Sequence, residues 1–146
     1  MFTVCPMTAD HVDEVWAIEE RSFSQPWSKD DILGEISRKH SCCFVVLDSN
    51  GKVAGYAGMW HIINEGQINN IAVDEPYRRQ GAGALLMEAL IKEAAAREMI
   101  GLTLEVRIGN KAAMAMYHKF GFVVEGYRRG YYQDPREDAA IMWKYL

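Results

Sequence analysis

The chain is poor in the residues that build covalent or metal-held scaffolds. Three cysteines occur in 146 residues, and none form a C-x-x-C; Cys42 and Cys43 are neighbours inside an apolar run. The histidines (His11, His40, His61 and His118) are scattered, and H-E-x-x-H is absent, so no metal site is expected. An odd number of cysteines without a leader points to reduced thiols packed as small apolar groups. No apolar run approaches the ~20 residues of a membrane-spanning helix. Met1-Phe2-Thr3-Val4 has neither the basic lead nor the apolar stretch of a signal peptide, and a cytoplasmic protein is expected. Excess positive charge is also missing: Lys+Arg 16 against Asp+Glu 20 gives −4. That balance argues against broad nucleic-acid binding as the main activity.

What remains is ordinary globular material. Hydrophobic residues make up 49% and charged residues 25%, which excludes intrinsic disorder. No repeat or linker interrupts the chain, so residues 1–146 are expected to form one domain. Charge is uneven along it. Residues 1–50 carry nine acids and four bases (−5), and residues 51–146 carry eleven acids and twelve bases (+1). Solvated helix faces account for this, as would an anionic ligand held by the later part.

Periodicity gives the elements. Phe2 to Met7 reads as a first strand, with Pro6 at an edge or end. Thr8 caps a helix carrying Val12, Val15, Trp16 and Phe23. Pro26 breaks it, and Ser28 with Asp31 restarts a second helix with Ile32, Leu33 and Ile36 inward. Cys42–Leu47 and Val53–Ile63 are strands joined through Asn50-Gly51, where both positions tolerate positive φ. Asn64-Glu65-Gly66 turns the chain into a strand Gln67–Val73. A helix through Leu85, Leu86, Ala89 and Leu90 follows, then a strand Leu102–Val106. Asn110 caps a short helix ending at Gly121, and Phe122–Tyr132 and Ala139–Tyr145 form a final pair. Helices on a mixed, mostly antiparallel sheet result: an α+β fold.

The stretch from Ile71 to Ala84 carries the most chemical information. A strand ends, a loop follows, and Gly81 and Gly83 open an amphipathic helix behind Arg78 and Arg79. Glycine lets backbone approach a ligand closely, and unpartnered first-turn amides with the helix dipole favour an anion such as pyrophosphate. A plain glycine loop with solvated arginines is the competing reading. A Walker loop is excluded, because no Lys-Ser or Lys-Thr follows the glycines. A dinucleotide fingerprint is disfavoured: Leu86 stands where its third small residue belongs, and Asp74 to Gln80 separate strand from glycines.

Arg78-Arg79-Gln80-Gly81-Ala82-Gly83 matches the R/Q-x-x-G-x-G/A signature, and the chain resembles the GNAT superfamily of N-acetyltransferases. Pro26-Trp27-Ser28, Asn70-Ile71-Ala72-Val73, Leu104-Glu105-Val106-Arg107, Asn110, Tyr117, Gly121-Phe122, Arg128-Arg129-x-Tyr131-Tyr132 and Arg136-Glu137-Asp138-Ala139 resemble one branch, the ribosomal-protein alanine N-acetyltransferases. The resemblance implies a seven-stranded mixed sheet with about four helices and acetyl-CoA lying where two parallel strands splay, those ending at Val73 and Val106. It implies no metal. Ile71, Ala72 and Val73 would hold pantetheine and acetyl group, and Arg78, Arg79, Gln80, Gly81, Ala82, Gly83 and Ala84 the pyrophosphate. Asn110 and Tyr117 would complete the cofactor contacts. Gly109 stands where the family often has serine, so no hydroxyl contact arises there.

The same resemblance implies the catalytic roles. Glu105 alternates with Leu104 and Val106 and so faces away from them; the family match makes it the general base, whereas the strand alone also allows a surface acid paired with Arg107. Tyr117 would be the general acid, although a core aromatic beside Ala113 and Phe120 fits its position too. The Val73 amide, on a bulged strand, would stabilise the oxyanion. Trp27, Tyr131 and Tyr132 lie near loops, where aromatics often bind, and the resemblance sets them around an acceptor peptide; Trp27 would serve equally as a staple between helices. Glu137 or Asp138 would meet a basic second residue. The expected partner is therefore a peptide or protein N-terminus, of a ribosomal protein, and neither nucleic acid nor membrane. Other acceptors (a lysine side chain, another N-terminus, a small amine) and a CoA-binding module without turnover remain the alternatives.

Overall fold

A computed structural model describes all residues, 1–146. Strands β1 (Thr3–Pro6), β2 (Ser41–Leu47), β3 (Val53–Ile62), β4 (Glu65–Val73), β5 (Gly101–Arg107), β6 (Val123–Tyr132) and β7 (Glu137–Tyr145) form one sheet in the order β1-β2-β3-β4-β5-β7-β6. Every pairing is antiparallel except β4 with β5. Helices α1 (Val12–Ser22), α2 (Lys29–Ser37), α3 (Ala82–Ala96) and α4 (Lys111–Lys119) cover it. None is long and apolar enough to cross a membrane. The α+β architecture is the one expected.

Because strand side chains alternate, the sheet has two separate cores. Val46, Ala57, Leu86, Leu90, Leu104, Val106 and Tyr117 belong to the larger, under α3 and α4. Val15, Ile18, Ile32, Val45 and Tyr56 form the smaller, under α1 and α2. The β2 neighbours Val45 and Val46, both 0% exposed, point into different cores. Full burial of a side chain such as Leu86 or Leu90 contributes roughly 1.5–3 kcal/mol.

Local signals explain most boundaries. Ser28 Oγ accepts from the Asp31 amide and the Asp31 carboxylate accepts from the Ser28 amide, both at 3.1 Å, which starts α2. Asn110 Oδ1 accepts from the Ala113 amide at 3.2 Å and starts α4, which Gly121 ends at φ +94. Several expectations need correction. Thr8 precedes a 3-10 turn, Ala9–His11, rather than α1 itself. Leu33 faces solvent at 46% exposure, and the buried positions of α2 are Ile32 and Glu35. In the β2–β3 turn only Gly51 has positive φ, because Asp48 Oδ1 accepts from the Asn50 and Lys52 amides and holds a wider loop. The β3–β4 turn is Ile63-Asn64, with Ile63 at φ +58, and β4 already begins at Glu65.

All three cysteines are free. Burial pushes the Cys43 thiol up to about 12 and raises that of Cys42, so neither is a ready thiolate.

Candidate active site

The site begins where β4 and β5 part. They pair only over Glu65–Gln67 against Gly101–Thr103. Immediately beyond, the β3–β4 register steps from Met59↔Ile68 to Gly58↔Asn70 and leaves Asn69 over. Such a bulge bends its strand and adds twist, which carries β4 away from β5. The bulge in this strand is thus at Asn69. The Asp74 amide donates to the Ala54 carbonyl at 2.8 Å. Ladder alternation then turns the backbone groups of Ala72 toward β3 as well, and those of Ile71 and Val73 into the opening. Ile71 and Val73 can hold an extended ligand through the backbone; Ala72 cannot. The Val73 carbonyl already accepts from Arg78 Nε at 3.0 Å, which leaves its amide.

Above that opening lies the start of α3. Arg79 and Gly81 take φ +63 and +90, and successive amides in such a turn converge on a concave anion site. The first turn of α3 has no side-chain cap and no acidic residue. The two glycines differ in purpose. Nothing lies within 4 Å of a Cβ built on Gly81, so its need is conformational; a Cβ on Gly83 would sit 3.3 Å from Met116 Sδ and 3.6 Å from Val73 Cγ2. Arg78 braces Val73, and Gln80 Nε2 donates to the Pro76 carbonyl at 3.1 Å. Both side chains hold the loop, and neither caps the amides at the α3 start.

A cleft of about 540 Å³ runs through the opening and gathers Ile71, Asn110, Tyr117, Glu105, Trp27, Tyr131 and Tyr132 from separate elements. Tyr117 belongs to the core under α3 and α4, and Trp27 packs on the core under α1 and α2. The cleft is therefore reached from both faces of the sheet. Glu105 Oε2 pairs with Arg128 Nε of β6 at 3.0 Å, not with Arg107. Tyr117 is 6% exposed. Burial, and then neighbouring Tyr132, hold its phenol above the ordinary value of 10.0, so it stays protonated at neutral pH. Tyr131 and Tyr132 meet edge to face at 5.0 Å. Arg128 lies over the first at 5.6 Å and Arg107 over the second at 4.5 Å. Burial likewise pushes the Tyr132 phenol up to about 12. Asn110 spends Oδ1 on its cap, which leaves Nδ2 uncommitted.

Glu137 does not line the cleft. Its carboxylate takes Arg107 Nη1 at 3.1 Å and the Gly109 amide at 2.8 Å, so it is already engaged. Asp138 is engaged too, accepting from the Gly130 amide at 2.8 Å. Other lining residues, among them Phe23, Asn69, Asn70 and Arg107, were given no site role by the sequence analysis. Phe23 was read as a core position of α1 but ends that helix in extended geometry; the polar Ser24-Gln25-Pro26 that follows was the available signal.

An acetyltransferase (GNAT) family model matches residues 11–122. The chain belongs to the GNAT family. This acetyltransferase is similar to the ribosomal protein bS18-alanine N-acetyltransferase of Escherichia coli, with 38% identity over 97% of this chain and 96% of that one. It is 32% identical to the protein of the same name in Haemophilus ducreyi, over 92% of this chain and 93% of the relative. The crystal structure of the ribosomal-protein-S18-alanine N-acetyltransferase from E. coli superposes with a TM-score of 0.91 at 36% identity, covering 100% and 94% of the two chains. Acetyl-CoA, the donor this family implies, meets fitting groups: an uncapped amide nest for its diphosphate and an open strand edge for its pantetheine arm.

Proposed function

We propose that this GNAT protein transfers acetyl from acetyl-CoA directly to the N-terminal α-amino group of an alanine, on a small-subunit ribosomal protein. Its similarity to enzymes named for that reaction supports the acceptor. The observation that carries the chemistry is the convergence of Glu105 from β5 and Tyr117 from α4 on one cleft. With a ribosomal acceptor the reaction belongs in the cytoplasm.

Acetyl-CoA supplies an activated acyl thioester. The chain's residues do the rest. Amides from Arg79 to Ala84 hold the diphosphate against the α3 dipole. Ile71 and Val73 bind the arm as an added strand, and the Val73 amide donates to the acyl oxygen as negative charge gathers there. An α-amino group of pKa ~7.7–8.0 arrives mostly charged. Glu105, oriented by Arg128, takes its proton directly or through one water. Tyr117 gives its proton to the departing sulfur. Trp27, Tyr131 and Tyr132 wall the acceptor side.

The test is CoA release from acetyl-CoA with a peptide beginning in alanine, against an N-acetylated peptide bearing an internal lysine. Turnover is expected only with the first. Glu105→Gln should lower kcat about a hundredfold with acetyl-CoA affinity unchanged, and Tyr117→Phe should lower kcat at least about tenfold. Preference for the lysine peptide would overturn the acceptor, and unaltered kcat in both variants would remove the mechanism.

A further inference from the structure

Glu19 is a carboxylate with no place in the reaction above, yet it lies 2% exposed near the end of α1. A buried acid is costly unless its oxygens are occupied, and here three elements occupy them. The Tyr56 hydroxyl of β3 and Asn70 Nδ2 of β4 donate to Oε1, the latter at 3.0 Å. The Trp27 backbone amide donates to Oε2 at 3.0 Å. Two of these partners line the cleft. Trp27 is its wall on the α1–α2 side, and Asn70 follows the bulge that opens β4. Two residues further, Arg21 binds Asp74 through Nε and Nη2 at 3.1 and 2.8 Å, so the end of α1 is fastened to both ends of the opened part of β4.

We infer that Glu19 is a positioning residue for the acceptor: its carboxylate ties the 23–27 wall to β4 at Asn70, so that the peptide pocket is formed before the peptide arrives. This rests on the reading of the cleft as an acetyl-transfer site. The donor side is built from α3 and the free edges of Ile71 and Val73, none of which Glu19 touches. Loss of the tie should therefore be felt in acceptor binding and not in donor binding. A glutamine replaces the carboxylate poorly: with its oxygen on the Trp27 amide, its NH2 faces Asn70 Nδ2 and the Tyr56 hydroxyl, so Asn70 must flip and Tyr56 must accept to restore the contacts.

The experiment compares Glu19→Gln with Tyr56→Phe, using acetyl-CoA and a peptide beginning in alanine. Tyr56→Phe removes one donor from the carboxylate but leaves the Trp27–Glu19–Asn70 tie. Glu19→Gln should raise the peptide KM about tenfold, with kcat within about threefold and acetyl-CoA affinity by calorimetry unchanged. Tyr56→Phe should lose comparable stability with its KM unchanged, and Glu19→Asp should recover part of the KM. Equal KM in wild type and Glu19→Gln, or equal increases in Glu19→Gln and Tyr56→Phe, would overturn the inference. Should Glu19→Gln not fold, Glu19→Asp carries the same comparison with Tyr56→Phe. A wild-type protein that binds acetyl-CoA but acetylates no peptide would instead overturn the functional reading.

Discussion

The α1–α2 half of the molecule and the β4–α3 half treat their polar groups in opposite ways. In the first, groups are satisfied internally. Ser28 and Asp31 cap each other's amides, Glu19 receives three donors, and buried Glu35 accepts from Ser41 Oγ and Trp60 Nε1. In the second, groups are left open. The α3 start has a glycine cap and no acid, and β4 beyond Asn69 has one free edge. On the proposed function the difference separates the tasks: side chains held rigidly would shape the acceptor wall, whereas bare backbone would receive the donor. It also predicts which substitutions each half will feel, since a backbone site is damaged by changes in conformation and a side-chain site by changes in chemistry.

Three experiments press on that contrast. The largest effect belongs to Gly81→Val. A β-branched residue at φ +90 costs roughly 1–2 kcal/mol, and with nothing nearby to hold it the exposed loop relaxes. Calorimetry should then give acetyl-CoA affinity about tenfold weaker with thermal stability little changed. Ser28→Ala should do the reverse, costing about 1 kcal/mol in urea unfolding with acetyl-CoA affinity intact. The smallest effect is a pH dependence. Burial holds the Glu19 carboxyl above the usual 4.5, so the stability linked to its proton is complete below 4.5 and is lost as pH rises through the folded value. The unfolding free energy of wild type should fall over that interval relative to Glu19→Gln, most steeply midway between 4.5 and the folded value.

The sequence disclosed the parts whose rules are local. Asn110 and Ser28 announced helix starts, Gly121 an end, and Arg78 to Gly83 a strand-to-helix anion loop. Non-local matters stayed hidden. Nothing in Gln67-Ile68-Asn69-Asn70 marks a bulge, because a bulge is a mismatch with the partner strand. Glu105 was weighed against Arg107, the basic residue on its own strand face, but its partner Arg128 lies two strands away across β7. Leu33 fitted the helical period; its exposure depends on how α2 tilts over the sheet. Glu137 looked available for a peptide because the Gly109 amide that occupies it is 28 residues distant.

That last contact couples two positions far apart in the chain. A Cβ at Gly109 would stand 2.5 Å from Glu137 Oε2, an oxygen that cannot swing away without releasing the Gly109 amide and disturbing the Arg107 pair. A side chain at 109 therefore presses on the carboxylate end of Glu137, which must shift to admit it. Substitutions at 109 and 137 are therefore expected to be non-additive, because the two positions share one contact.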